Sequence, residues 1–190
     1  MFEFIMINRN ILLITILVLN SSFTFSSSDK SQIVTSSGII EGIIKKNVIL
    51  WDDIPYAKAP IGDLRWRAPM ELLSDDIITP RINNSCVQEP SSLGGVNGDG
   101  LIVGQEDCLY LDIKAPQNIN SSKPLPVMFW IHGGGNITGT KDIYDFSYIV
   151  KKYNVIVVTI NYRLGPFGWF SHPGIQDFQD NLDKTSNFGT

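Results

Sequence analysis

Residues Leu125 to Gly135 read LPVMFWIHGGG, and this stretch decides the fold. Val127 to Ile131 is a continuous apolar run of strand length, and His132-Gly133-Gly134-Gly135 follows it at once. A second run of the same kind, VIVVTI, lies at Val155 to Ile160. Between them, Tyr144 to Lys152 (YDFSYIVKK) spaces its apolar residues as a helix does. Two apolar strands flanking a helix predict a βαβ unit and a parallel sheet covered on both faces, hence an α/β fold.

Working outward, Gly38 to Gly42 and Val48 to Trp51 are short apolar runs broken by charge, the pattern of an antiparallel hairpin. Ser74 to Gly104 is loop-rich, with Pro80, Pro90 and glycines at 94, 95, 98 and 100. Leu109 to Ile113 predicts a strand that ends by Pro116, and Asn118 to Lys123 a polar turn. The tail from Pro173 to Thr190 is polar and predicts no regular element.

The chemistry concentrates in the glycines. Acyl transfer needs backbone N–H donors aimed at the oxygen of a tetrahedral intermediate. Consecutive glycines let the chain turn tightly and approach a substrate with no Cβ in the way. A glycine run alone describes a flexible turn equally well; its position directly behind an apolar strand is what favours a site.

The charge balance excludes several classes. A net charge of −4 with no basic run disfavours nucleic acid and anionic membrane surfaces as partners. No metal-ligand spacing, phosphate loop or dinucleotide fingerprint occurs, so no cofactor or metal is expected. Residues 1–28 read as a secretory signal: Arg9 and the amino terminus, the apolar core Ile11 to Leu19, then small and polar residues to Ser28. So short an apolar run cannot cross a hydrocarbon layer of roughly 30 Å as a helix, so no stable membrane anchor is expected. Cleavage is expected between Thr24 and Ser28, leaving residues 29–190 as one domain in the extracellular space. Two cysteines, Cys86 and Cys108, suit a disulfide in that compartment, with a pair of free thiols as the alternative. Asn-x-Ser/Thr acceptors occur at Asn83, Asn120 and Asn136. The first two fall in turn-rich stretches and are expected to be glycosylated; Asn136 lies in a glycine turn expected to be close-packed.

Four segments carry a family resemblance: IPYAKAPIGDLRWRAP (Ile54 to Pro69), EDCLYLDI (Glu106 to Ile113), LPVMFWIHGGG (Leu125 to Gly135) and NYRLGPFGW (Asn161 to Trp169). In this order they resemble successive signatures of the N-terminal portion of type-B carboxylesterases, the cholinesterase-like α/β-hydrolases. The resemblance implies antiparallel N-terminal strands leading into a parallel sheet with a crossover helix, truncated before the nucleophile strand. It implies a carboxylic ester as substrate and assigns Gly134 and Gly135 as two donors of an oxyanion hole. It pairs Cys86 with Cys108 in a disulfide and Arg65 with Glu106 in a structural ion pair. Trp66 stands where phenylalanine is more usual, and Asn136 where an aromatic is common. Arg163 matches a guanidinium that pairs with an aspartate further downstream, and losing that partner would cost a buried arginine several kcal/mol.

Ester hydrolysis also needs a serine, a base and an orienting acid. No G-x-S-x-G occurs in these residues. Ser171 beside His172 lacks the flanking glycines, and adjacent loop residues cannot both reach one substrate. His132, the only other histidine, belongs to the glycine turn. The chain is therefore expected to be inactive by itself, with Val155 to Ile160 left as an unpaired apolar edge. A piece of an active secreted esterase and a non-enzymatic binding, adhesion or storage protein are the alternatives.

Overall fold

The computed structural model describes residues 31–81, 84–120, 122–176 and 181–189. The signal segment and the Asn83 acceptor lie outside these residues.

Two short hairpins open the fold. Strand β1 (Gln32–Thr35) pairs antiparallel with β2 (Gly38–Glu41), and β3 (Ile43–Lys45) pairs antiparallel with β4 (Val48–Pro55). This corrects the single hairpin expected from Gly38 to Gly42 and Val48 to Trp51. The reason is local. Lys46 and Asn47 both hold positive φ, 51° and 65°, the two-residue turn whose twist matches antiparallel strands. At the first hairpin, the Thr35 hydroxyl accepts from the Ser37 amide at 3.2 Å and donates to the Gly38 carbonyl at 2.9 Å.

The main sheet has five strands in the order β3-β4-β5-β7-β6, where β5 is Tyr110–Pro116, β6 is Val127–Ile131 and β7 is Ile156–Ile160. All neighbours are antiparallel except β6 and β7, which run parallel, as a βαβ unit requires. The crossover helix α1 (Ser147–Tyr153) starts three residues later than the apolar spacing predicts. Asp145 sets that start, because its Oδ1 accepts from both the amide (2.9 Å) and the hydroxyl (2.5 Å) of Ser147. Asn154, at a left-handed φ of 52°, closes the helix with its amide on the Val150 carbonyl.

Helix α1 packs Val150 onto Val157 and Val48, beside Phe146, and β6 adds Met128 and Trp130 to that cluster. The opposite face packs Ile49, Trp51, Ile54 and Ala115 against Ile40 of the first hairpin. That second layer ends before β6. Val127, Phe129 and Ile131 are each about half exposed, at 50%, 47% and 52%. The expectation of burial on both faces therefore fails for β6. The expected edge moves as well: β7 lies between β5 and β6, so the apolar edge is β6. Pairing decides this, since β7 meets β5 from Leu111↔Ile160 to Lys114↔Val157 and leaves β6 only its outer side.

The polar tail is folded, contrary to expectation. A single helical turn, α2 (Pro173–Gln176), and a 3₁₀ turn at Asp183–Thr185 precede Phe188, which is 1% exposed and donates its amide to the Gly168 carbonyl at 2.7 Å.

Candidate functional site

The glycine turn leaves β6 at His132 and runs to Lys141. Gly134 has a φ of 113°, and a Cβ there would collide with the Thr138 carbonyl, so only glycine fits. The Gly134 oxygen accepts the amides of Ile137 (3.1 Å) and Thr138 (3.2 Å), which folds the loop back on itself. Around Gly133 and Gly135 the space where a Cβ would sit is empty within 4 Å. The amides of Gly134 and Gly135 donate to no acceptor among the described residues. Both glycines are exposed, so an anchored turn carries two amides with no acceptor among the described residues.

Four anchors hold that turn. The Tyr162 hydroxyl donates to the His132 carbonyl at 2.8 Å, and its ring stacks on the imidazole with centroids 4.3 Å apart. His132 is buried, its Nδ1 donating to the Gly133 carbonyl at 2.9 Å, and its Nε2 has no partner among the described residues. Burial pulls its pKa below the ordinary imidazole value and favours the neutral ring, which packs face-on against Tyr162. Further on, the Asn136 carbonyl accepts the Gly165 amide at 2.7 Å. Asn136 itself is exposed with a φ of 63°, which overturns the expectation of a close-packed turn there.

The third anchor is Gln88, 4% exposed. Its amide nitrogen donates to the carbonyls of Cys86 (3.0 Å) and Gly139 (2.8 Å). Its oxygen accepts from the Thr138 hydroxyl (2.8 Å) and the Gly139 amide (2.9 Å). Cys86 is joined to Cys108 in a disulfide, with Cα atoms 5.0 Å apart.

The fourth anchor is a buried charge cluster. Lys141, 3% exposed, places Nζ 2.8 Å from Asp53 Oδ1, 2.9 Å from Asp112 Oδ1 and 3.0 Å from Asp142 Oδ1. The Lys141 amide donates to Asn161 Oδ1 at 2.7 Å, and Asn161 Nδ2 reaches the Asn84 carbonyl at 3.1 Å. Burial pushes Asp112 up to about 7, outweighing the opposing pull of the Lys141 ammonium and the Asp53 amide. For Lys141 burial disfavours the charge, but Asp112 and its neighbours outweigh it and hold the pKa above the ordinary lysine value.

Arg65 meets Glu106 through a two-pronged contact, Nε to Oε2 and Nη2 to Oε1, both 2.5 Å. The pair lines a small pocket with Trp66, Cys86, Cys108 and Phe167. Trp66 stacks on Phe170 at 4.7 Å and donates Nε1 to the Pro166 carbonyl at 2.8 Å. Arg163 is not released to water. It is 3% exposed, with Nε on the Phe188 carbonyl (2.6 Å) and Nη2 on the Arg67 carbonyl (2.8 Å), while Nη1 has no partner among the described residues. Burial lowers its pKa to about 10. Ser171 and His172 are exposed, and His172 turns inward on its own loop to accept the Gly174 amide at 3.0 Å. Asn120 is exposed in its turn. Among the described residues no group of three or more His, Cys, Asp or Glu is placed to hold a metal ion, and no helix is long and apolar enough to cross a membrane.

Asp53, Gln88, Asp112, Lys141 and Asn161 escaped the reading of the sequence. One signal was available: Asp112 lies inside the apolar run LYLDI, and strand alternation puts it on the face of buried Tyr110. A carboxylate there demands a buried cation.

A mixed sheet with a glycine turn directly behind a parallel strand, its amides open, is the N-terminal architecture of an α/β-hydrolase. The chain belongs to the carboxylesterase family, whose model matches residues 29–183. It is 40% identical over 156 residues to para-nitrobenzyl esterase of Bacillus subtilis (strain 168), covering 80% of this chain and 32% of that protein. It is 36% identical over 159 residues to fumonisin B1 esterase of Sphingopyxis macrogoltabida, covering 82% and 28%. Among solved structures it matches the carboxylesterase EST55 of Geobacillus stearothermophilus with a TM-score of 0.68 at 34% identity, covering 84% of this chain and 31% of that one. The chain thus spans about a third of the length of the relatives it matches.

Proposed function

We propose that these residues supply the carbonyl-binding side of carboxylic ester hydrolysis, and that by themselves they do not turn esters over. The observation that carries this is the pair of open amides at Gly134 and Gly135. When a nucleophile adds to an ester carbonyl, the oxygen gains charge, and two fixed N–H donors stabilise it more than they stabilise the planar ester. The chain contains no G-x-S-x-G to deliver that nucleophile, and buried His132 is a packing group. Extracellular location fits with the apolar run Ile11 to Leu19 and the Cys86–Cys108 disulfide. A carboxylesterase from the venom of Apis mellifera is among its relatives.

Two measurements test the reading. Purified residues 29–190 should hydrolyse p-nitrophenyl acetate no faster than buffer; turnover abolished by a serine-directed organophosphate would overturn it. The same residues joined to the remaining two thirds of the Bacillus subtilis para-nitrobenzyl esterase should hydrolyse that ester, and a folded but inert chimera would sink the donor assignment. Expression in eukaryotic cells should place the chain in the medium, cleaved between Thr24 and Ser28 and bearing glycan at Asn120.

A further inference from the structure

We infer that Gln88 is a positioning residue for the Gly134–Gly135 turn and couples that turn to the Cys86–Cys108 loop; this rests on the proposed role of the two amides. Gln88 is nearly 50 positions away from the turn in sequence, yet its side chain spends every good hydrogen-bonding position on it or on the disulfide. A primary amide offers two donors and an acceptor oxygen with two lone pairs. Nε2 gives one proton to Gly139 and one to Cys86, and Oε1 takes one from Gly139 and one from Thr138. The bonds to the amide and carbonyl of Gly139 match those of a neighbouring strand, so the side chain serves as a one-residue ladder.

The next link is direct. Thr138 and Ile137 are the residues whose amides close on the Gly134 carbonyl. Holding Thr138 and Gly139 therefore holds the peptide that orients the Gly134 and Gly135 donors. Gln88 is itself fixed, because its backbone pairs with Val103 in both directions, N to O at 3.0 and 2.9 Å, within the loop that the disulfide closes. Glutamate has no proton to donate at neutral pH, asparagine is a methylene shorter, and leucine leaves buried polar groups unpaired.

Amide hydrogen exchange on the intact, oxidised chain tests this, using Gln88→Ala and Gln88→Glu. The probes are the Ile137 and Thr138 amides, which Gln88 does not touch; the β5–β7 ladder is the reference. In Gln88→Ala, protection at the two probes should fall roughly ten-fold or more while the reference is unchanged. In Gln88→Glu it should fall likewise at neutral pH and recover partway as pH drops toward 4, where the protonated carboxyl donates again. Gln88→Ala should show no such recovery. Unchanged probes in Gln88→Ala, equal loss in probes and reference, or no recovery in Gln88→Glu would each overturn the inference. An inert chimera in the ester assay would sink the functional reading and leave these exchange rates as they are.

Discussion

Lys141 Nζ lies 2.9 Å from Asp112 Oδ1 with both residues at least 96% buried, and the contact joins the end of the glycine turn to the middle of β5. Asp53 enters the same contact from the irregular point of β4, where its φ is 60° and the pairing of β4 with β5 shifts between Trp51 and Ile54. The charge cluster therefore links two strands to the loop that carries the candidate donors.

Replacing Lys141 with Met should destabilise the chain by about 3–5 kcal/mol, because Asp53 and Asp112 are then left buried without a cation. Urea denaturation followed by tryptophan fluorescence measures this. A loss under about 1 kcal/mol would mean that the carboxylates find water.

The raised pKa of Asp112 sets a pH dependence. Its folded value of about 7 exceeds the ordinary carboxylate value of 3.8, so the folded state binds more protons between these limits. Its contribution to stability is full below about pH 4 and is lost as pH rises through about 7. Comparing the chain with Asp112→Asn isolates this group: the variant's stability relative to the parent should improve from pH 5 to pH 8. A flat difference across that window would contradict the assignment.

Alanine substitutions along the turn should rank by space. Gly134→Ala meets the Thr138 carbonyl at a φ of 113° and should cost the most, about 2 kcal/mol or more. Gly135→Ala, with open space at a φ of 62°, should cost about 1 kcal/mol. Equal melting temperatures for the two variants would count against this geometry.

The outer face of β6 should govern self-association. Phe129 is 47% exposed on an edge strand between Val127 and Ile131. Phe129→Lys should slow concentration-dependent aggregation of residues 29–190, read by light scattering, and leave the denaturation midpoint nearly unchanged. Faster aggregation would point to a different surface.

The reading of local elements followed from side-chain type. An apolar run of five in β6 and another in β7, with a helix between them, specified the βαβ unit, and the four segments specified the family. The Arg65–Glu106 pair came from the resemblance, since spacing alone names no partner for either residue, whereas the Cys86–Cys108 pair was offered by the cysteine count as well. Arg163 was legible as a buried cation, but not as one held by the Phe188 and Arg67 carbonyls. A backbone carbonyl carries no side-chain signature.

Sequence alone thus determined the strands β5, β6 and β7, the helix between the last two, where the chain turns on glycine and which family it belongs to, because those depend on short-range sterics and hydrophobic patterning. Tertiary structure decided which apolar strand is central and which is the edge, since β6 and β7 are equally hydrophobic and only the pairing of β7 with β5 separates them. It also decided that Gln88, Lys141, Asp53 and Asp112 hold the glycine turn. Their partners lie tens of residues away, and a buried polar contact exists only once the chain has folded.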